Sequence, residues 1–218
     1  VSKPLKIAYI IDAIETPSAG TEKQLLTMLH GLDRQRVEPY LVCLHDSEWM
    51  QSQQFDFPFV NLNVHSLFGL PFLKGLRKFK QLHKQEQFDI VQTFFKDGNI
   101  FGTFAARYAR CPVVISSRRN TGYWHDHKHI RMLRFLRRWT TLYLANSQAA
   151  ALSTCEIELV DKDRTAVIYN ALDLERFMKF DRQQRGSQRE KWNVGDDEIL
   201  VGAIANLRPV KKLDTLIE

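Results

Sequence analysis

Residues 5–11 read LKIAYII, an apolar run interrupted only by Lys6 and closed by Asp12. A run of that length without polar alternation is the pattern of a strand covered on both faces. Similar runs recur at residues 40–44, 58–64, 89–94, 112–116, 141–145, 165–169 and 199–205. Most are separated by segments whose apolar residues fall at helical spacing, at 21–32, 72–86, 99–110, 129–139 and 148–159. The alternation predicts β-α-β units, and therefore an α/β fold: a doubly wound parallel sheet with helices on both faces.

The pattern changes after Asn170. Residues 181–197 (DRQQRGSQREKWNVGDD) are polar and charged, and a new apolar run follows at 199–205. This places a Rossmann-like domain at 1–170, an interdomain segment at 171–197, and the start of a second domain at 198–218. One strand and one helical turn cannot bury a core, so the expectation is a protein that continues past Glu218. No internal repeat or low-complexity tract is present. With 218 residues, 44% of them hydrophobic and 26% charged, the chain can bury roughly 70% of its unfolded surface without disulfides or a structural metal. Cys43, Cys111 and Cys155 are odd in number and lack a C-x-x-C pair, which predicts buried thiols in a reducing compartment. No apolar run approaches the roughly 20 residues that span a bilayer, and no secretory signal pattern opens the sequence. The expected address is the cytoplasm.

The net charge is +6, and it is unevenly spread. Residues 71–87 carry five bases and one acid, and residues 118–138 carry seven bases and one acid. The remainder is mildly acidic. Concentrated positive charge points to an anionic partner: phosphate, nucleic acid or lipid headgroups.

In an open parallel sheet, ligands bind beyond the carboxyl ends of the strands where strand order reverses. That geometry selects 18–22 (SAGTE), 95–98 (FKDG), 117–120 (SRRN) and Asn146-Ser147. Gly20 precedes Thr21-Glu22-Lys23-Gln24, which has the form of a capping box with glycine in a tight turn. Free N–H groups at such a helix start attract anions, each hydrogen bond to a phosphate oxygen contributing roughly 1.5 to 3 kcal/mol. The plainer reading is that Thr21 only caps the helix, since neither G-x-G-x-x-G nor a P-loop is present. Lys96 adds a base to the same edge. Arg118 and Arg119 end a strand with side chains on opposite faces, so one of them enters a cleft. It would grip a phosphate bidentately, or pair with an acid such as Asp97.

His125, His127 and His129 look like metal ligands but have no matching ligand spacing elsewhere, so a solvated loop is expected. Asp161-Lys162-Asp163 has a D-x-D form in a polar turn before a strand, which predicts a surface turn. No metal site is expected. Two helices are basic and amphipathic. In 72–86, Leu73, Leu76, Phe79 and Leu82 face one way among lysines and Arg77. In 129–139, Ile130, Leu133, Leu136 and Trp139 do the same among arginines. Each either packs on the sheet and solvates its charges or also meets an anionic leaflet, where each base contributes about 1 kcal/mol.

Taken in order, SAGTEKQLL, FDIVQTF, CPVVISSRR, LANSQA, TAVIYNALDLERF and VGAIANLRPVKKLDTLIE resemble the N-terminal half of a family 4 glycosyltransferase of GT-B fold, with the start of its C-terminal domain. The resemblance implies an acceptor-binding N-terminal domain and a nucleotide-sugar-binding C-terminal domain. It implies transfer with retention of configuration and no obligatory metal or cofactor, the leaving diphosphate being stabilised by bases and helix N-termini. It further implies that the Gly20 loop, with Thr21, faces the donor diphosphate, that Arg208 and Lys211 begin a diphosphate clamp, and that Arg119 falls where the family has a residue near the transferred sugar; strand-end geometry adds Lys96 and one of Arg118 or Arg119 to the same rim. The sequence departs from the family pattern at Ala19, Phe94, Arg119, Ala171, Asn206 and Lys212. The implied partners are a nucleotide sugar, a lipid-linked or saccharide acceptor, and an anionic membrane surface. The isolated chain is expected not to turn over. A nucleotide-sugar epimerase or phosphorylase on the same scaffold is the alternative enzyme. A nucleic-acid module is the non-enzymatic one, although no stacking platform or recognised DNA motif is present.

Overall fold

Seven parallel strands form one sheet in the order β3-β2-β1-β4-β5-β6-β7. They are β1 (Leu5–Ile11), β2 (Val37–Cys43), β3 (Phe59–Asn61), β4 (Ile90–Thr93), β5 (Val113–Arg118), β6 (Leu142–Ala145) and β7 (Thr165–Val167). The computed structural model describes residues 3–18, 20–122, 125–172, 174, 182–205, 207 and 209–217. Strand order reverses between β1 and β4, which pair in parallel from Ile7↔Ile90 to Ile10↔Thr93. The helices are α1 (Gly20–Gly31), α2 (Glu48–Gln51), α3 (Gly69–Glu86), α4 (Lys96–Ala109), α5 (His127–Leu136) and α6 (Gln148–Glu158).

Alternate residues of each strand feed two apolar layers, as the period of two requires. Ala8, Ile10, Val42, Val91 and Val114 meet Phe79 of α3 and Phe101 of α4 on one face. Ile7, Tyr9, Ile11 and Leu41 meet Leu25, Leu26 and Leu29 of α1 on the other. The doubly wound α/β expectation is thus the observed fold.

Local expectations fail at instructive places. On α3 the inward positions are Phe72, Leu76, Phe79 and Leu82, while Leu73 stays 48% exposed. Phe72 takes the inward place because its ring meets Phe101 and Phe104 edge-on, at centroid distances of 5.8 and 5.7 Å. Cys43 and Cys111 are buried, and burial pushes their thiols up to about 12 and about 11. Cys155 is only partly buried. Lys162–Arg164 form a 3-10 turn, and Asp163 within it and Asp161 before it are exposed.

The chain divides into Val1–Ala171 and Leu172–Glu218. Within the second unit, α7 (Arg182–Lys191) forms in a segment too polar for apolar periodicity to mark, a 3-10 turn spans Pro209–Lys211, and α8 runs from Leu213 to Ile217. The strand expected at 199–205 does not form among the described residues. Ile199 and Ile204 are fully open to solvent there, because a lone apolar segment has no neighbouring strand to complete its hydrogen bonds.

Candidate functional site

The carboxyl ends of β4 and β5 open into a cleft of about 350 Å³, lined by Lys96, Asn99, Arg119, Asn120, His125 and His129 among others. Wider grooves lie elsewhere: about 590 Å³ at the amino ends of β1 and β2, and about 710 Å³ along α6 and β7. They hold more space, but the first sits at the amino end of the sheet and the second along its β7 edge, whereas the smaller cleft lies at the carboxyl ends of β4, which flanks the reversal, and β5.

Its geometry starts at the end of β4. Phe95 adopts φ 61° and ψ −176°, a region that side-chain-bearing residues rarely occupy. This turn starts α4 directly at Lys96. Asp12, at the end of β1, accepts hydrogen bonds from the backbone N–H groups of Gly98 and, at 3.4 Å, Asp97, and so closes the open N-terminus of α4. A Cβ on Gly98 would come within 3.0 Å of Asp12 Oδ1 and 3.3 Å of the Ile10 carbonyl oxygen. Glycine stands where α4 passes closest to β1. Burial raises the Asp12 carboxyl to about 7 against the pull of those N–H groups.

Beneath the cleft runs a buried polar chain. Thr93 Oγ1 and Ser116 Oγ both donate to Asn99 Oδ1, at 2.7 and 2.9 Å. Ser116 Oγ in turn accepts from Arg118 Nη1 at 2.7 Å. Arg118 Nε and Nη2 reach Glu158 Oε1 and Oε2 at 2.6 and 2.7 Å. With Nη1 also on the Ser117 carbonyl, four of the five guanidinium donors are engaged. Burial alone would lower the Arg118 pKa, but the Glu158 carboxylate outweighs it and the net shift is upward. The expected phosphate contact from Arg118 therefore meets a side chain committed to the fold, and its partner is Glu158 rather than Asp97.

Arg119 points the other way, as strand alternation requires. Its Nη2 donates to Asn170 Oδ1 at 2.7 Å, and its buried Nε has no acceptor among the described residues. Burial lowers its pKa from the usual arginine value. Besides the ion-paired Arg118, the cations that line the cleft among the described residues are Lys96 and Arg119.

The three histidines do not form a solvated loop. Asp126 caps α5 by accepting from His129 N at 2.7 Å, which turns His129 inward to 4% exposure. The His125 ring lies 4.5 Å from it, centroid to centroid. Burial, then the charges of His125 and Lys96, lower the His129 pKa to about 4, so its ring is neutral near pH 7. Among the described residues, no three His, Cys, Asp or Glu side chains gather as metal ligands.

Gly20 and Thr21 lie in the first turn of α1, at the same carboxyl edge but outside the cleft lining. Among the described residues, Thr21 and Gln24 form no capping box. Gln24 instead exchanges hydrogen bonds with the backbone of Ala171, Nε2 to O at 2.8 Å and N to Oε1 at 2.9 Å. Gly20 has no positive φ, and a Cβ there would meet nothing within 4 Å, so neither turn strain nor packing within the chain requires glycine. Lys211 ends the 3-10 turn of the second unit, and Arg208 lies outside the described residues. Sequence reasoning did not single out Asp12, Asn99 or Glu158. Asp12 was visible as the polar stop after β1, whereas Asn99 and Glu158 acquire meaning only through contacts distant in sequence.

A seven-stranded parallel sheet of this order, with a cationic cleft beside its reversal point, defines a Rossmann-like domain of the GT-B type. Residues 18–176 match Glycosyltransferase Family 4, and the chain belongs to that family. No curated protein sequence is a significant match. Among solved structures, Anabaena Alr3699/HepE in complex with UDP and glucose superposes with a TM-score of 0.74 at 20% identity, over 98% of this chain and 56% of that one. The lipopolysaccharide outer core galactosyltransferase WaaB gives 0.57 at 17% identity, over 77% and 46%. A UDP-N-acetylglucosamine 2-epimerase gives 0.54 at 17% identity, over 77% and 49%. The chain thus spans about half the length of these proteins, and at such identities the likeness is one of fold.

Proposed function

We propose that this chain is the acceptor-binding half of a glycosyltransferase that moves a sugar from a nucleotide-sugar donor to a lipid-linked or polysaccharide acceptor with retention of configuration. The observation that carries the reading is the pair Lys96 and Arg119 at one cleft mouth, with Arg119 Nε left without an acceptor. Two cations over a neutral His129 attract the negative charge that grows on a departing diphosphate. Lys96 and Arg119 would hold phosphate oxygens, Asn120 would orient a hydroxyl, and His129 would serve as a neutral hydrogen-bonding wall. Gly20 and Thr21 would let the donor approach the α1 backbone, and Arg208 and Lys211 would bind its diphosphate. The charge stabilisation comes from side chains and helix ends, so the proposed transfer has no obligatory metal or cofactor. That solved relatives in fold were obtained with UDP supports a nucleotide sugar as the donor class.

The test is transfer from a panel of radiolabelled nucleotide sugars to lipid extracts and oligosaccharides, comparing the 218-residue chain with the longest protein encoded around it. The longer protein should transfer label with the donor's anomeric configuration kept in the product by NMR, and Arg119→Ala should lower kcat/KM by 10²-fold or more while Arg119→Lys recovers part of it. The 218-residue chain should not turn over. Release of an epimerised free nucleotide sugar, or of a sugar phosphate, would establish the alternative enzymes instead.

A further inference from the structure

The excursion between β2 and β3 builds a second concavity, away from the cleft. A groove of about 600 Å³ runs between α1 and the segment from α2 to Phe55, within the size range of small-ligand sites. One wall is the outer face of α1, where Lys23, Thr27 and His30 recur at i, i+4 and i+7 and are all exposed. From Lys23 to His30 that wall extends about 10 Å at the rise of an α-helix. The other wall is aromatic. Trp49 and Phe55 pack against the apolar layer that holds Leu25 and Met50, yet both stay half-buried and line the groove.

The aromatic wall is held in place. Phe55 meets Trp49 edge-on at 6.0 Å, stacks on Phe57 at 5.1 Å and meets Phe59 edge-on at 5.3 Å, centroid to centroid. Helix α2 is tied to the loop before α1, because Ser47 Oγ donates to the Ile14 carbonyl at 2.6 Å and accepts from Met50 N at 3.1 Å. The two walls therefore keep their spacing without a ligand, which lowers the ordering cost of binding one.

The polar groups of the groove are not spent on the fold. Among the described residues, the Trp49 indole N–H, the Gln54 amide, the Thr27 hydroxyl and the Lys23 ammonium have no hydrogen-bond partner. Gln53 commits only its Nε2, to Ser52 Oγ at 2.9 Å. Amides and hydroxyls both give and accept hydrogen bonds, as vicinal sugar hydroxyls do, and an aromatic face suits the C–H side of a pyranose ring. A phosphate-rich ligand would call for several cations. Here Lys23 is the one lysine or arginine in the lining among the described residues, and His30 Nδ1 is taken by Asp56 Oδ1 at 2.9 Å. A proline-rich strand also docks on aromatic grooves, but it brings few N–H donors and would leave the Gln53 and Gln54 carbonyl oxygens unmatched.

We propose that this groove holds a saccharide chain, the distal sugars of an acceptor whose other end points toward the cleft. Pro17, in the loop between β1 and α1, lines one end of the groove three residues before Gly20, so that end lies at the carboxyl edge of the sheet, where the cleft also opens. The inference rests on the transferase reading and narrows its acceptor to a chain of several sugars, but its binding test needs no transfer.

The test is calorimetric and fluorescence titration of the 218-residue chain with cellotetraose, maltotetraose and galactotetraose. At least one should bind at submillimolar Kd, shift the tryptophan emission and, being uncharged, bind independently of salt. Trp49→Ala should weaken binding about tenfold or more, as loss of a central aromatic contact does, and Gln54→Ala about threefold to tenfold. Trp49→Phe should keep most of the affinity and lose the emission shift. Thr27→Arg is at an exposed helical position that arginine suits; it fills the groove and should abolish binding with an unchanged melting curve. The proposal is overturned if no tetrasaccharide binds, if folded Thr27→Arg binds like the parent, or if UDP or a poly-L-proline decamer displaces the sugar. For the longer protein, KM should fall as saccharide acceptors lengthen from di- to hexasaccharide, and a flat KM overturns the acceptor role. Transfer by the longer protein without tetrasaccharide binding would remove this inference alone; binding that Thr27→Arg abolishes, without transfer, would remove the enzymatic reading and leave a saccharide-binding groove.

Discussion

Arg118 and Glu158 meet through two parallel hydrogen bonds, Nε to Oε1 at 2.6 Å and Nη2 to Oε2 at 2.7 Å, with both side chains almost sealed from solvent. The contact ties the end of β5 to the end of α6 across 40 residues of sequence. Removing one partner strands a buried charge, so Glu158→Gln should destabilise the chain by about 3–5 kcal/mol. Arg118→Met with Glu158→Leu removes both charges and should recover most of that loss. Urea unfolding monitored by circular dichroism measures both; a cost below about 1 kcal/mol for Glu158→Gln would contradict the geometry.

Gly102 faces Thr93 so closely that a Cβ there would overlap Thr93 Cγ2. Thr93 cannot swing aside freely, because its hydroxyl is committed to Asn99. Gly102→Ala should therefore cost about 1–3 kcal/mol despite alanine's better helix propensity, and Gly102→Ala with Thr93→Ser should cost less. Equal stability of the two variants in thermal melts would show that the helix shifts instead.

Helix α6 ends on Leu159 at φ 56° and ψ 49°, a left-handed conformation that glycine adopts without the Cβ penalty. Leu159 is half exposed, so little packing opposes the change. Leu159→Gly should raise stability by about 0.5–1 kcal/mol. A drop in Tm for this variant would mean that the leucine side chain contributes more than its exposure indicates.

Burial holds the His129 pKa near 4, below its ordinary 6.5. The folded state therefore binds fewer protons than the unfolded state between those values, and stability falls as pH drops from about 6.5 toward 4. His129→Gln should flatten that part of the stability curve. The depression from 6.5 to about 4 corresponds to at most about 3.4 kcal/mol, and NMR titration of the His129 ring locates the midpoint directly. A midpoint near 6.5 would reject the burial account.

Much of this architecture was legible in the primary structure. Strands buried on both faces announce themselves as continuous apolar runs, and β1 falls where LKIAYII places it. The run at 199–205 has the same appearance and forms no strand, since a strand is defined by its neighbours. Leu73 shows the corresponding limit for helices: its spacing pointed inward, but the Phe72 ring found better contacts and displaced it. At the site, strand alternation foretold that Arg118 and Arg119 would part ways. It could not name Glu158, whose role depends on where α6 ends in space. The Asp126 cap, a local and readable signal, starts the helix that takes His129 out of the expected solvated loop and buries it, while His127 stays exposed.

The buried chain from Thr93 through Asn99 and Ser116 to Arg118 and Glu158 secures the cleft floor without using Lys96, Arg119 or Asn120 at its mouth. The side chains that hold the floor together are therefore distinct from those at the mouth, and under the function proposed above a substitution at any of these three positions would alter ligand preference while leaving the foundation untouched.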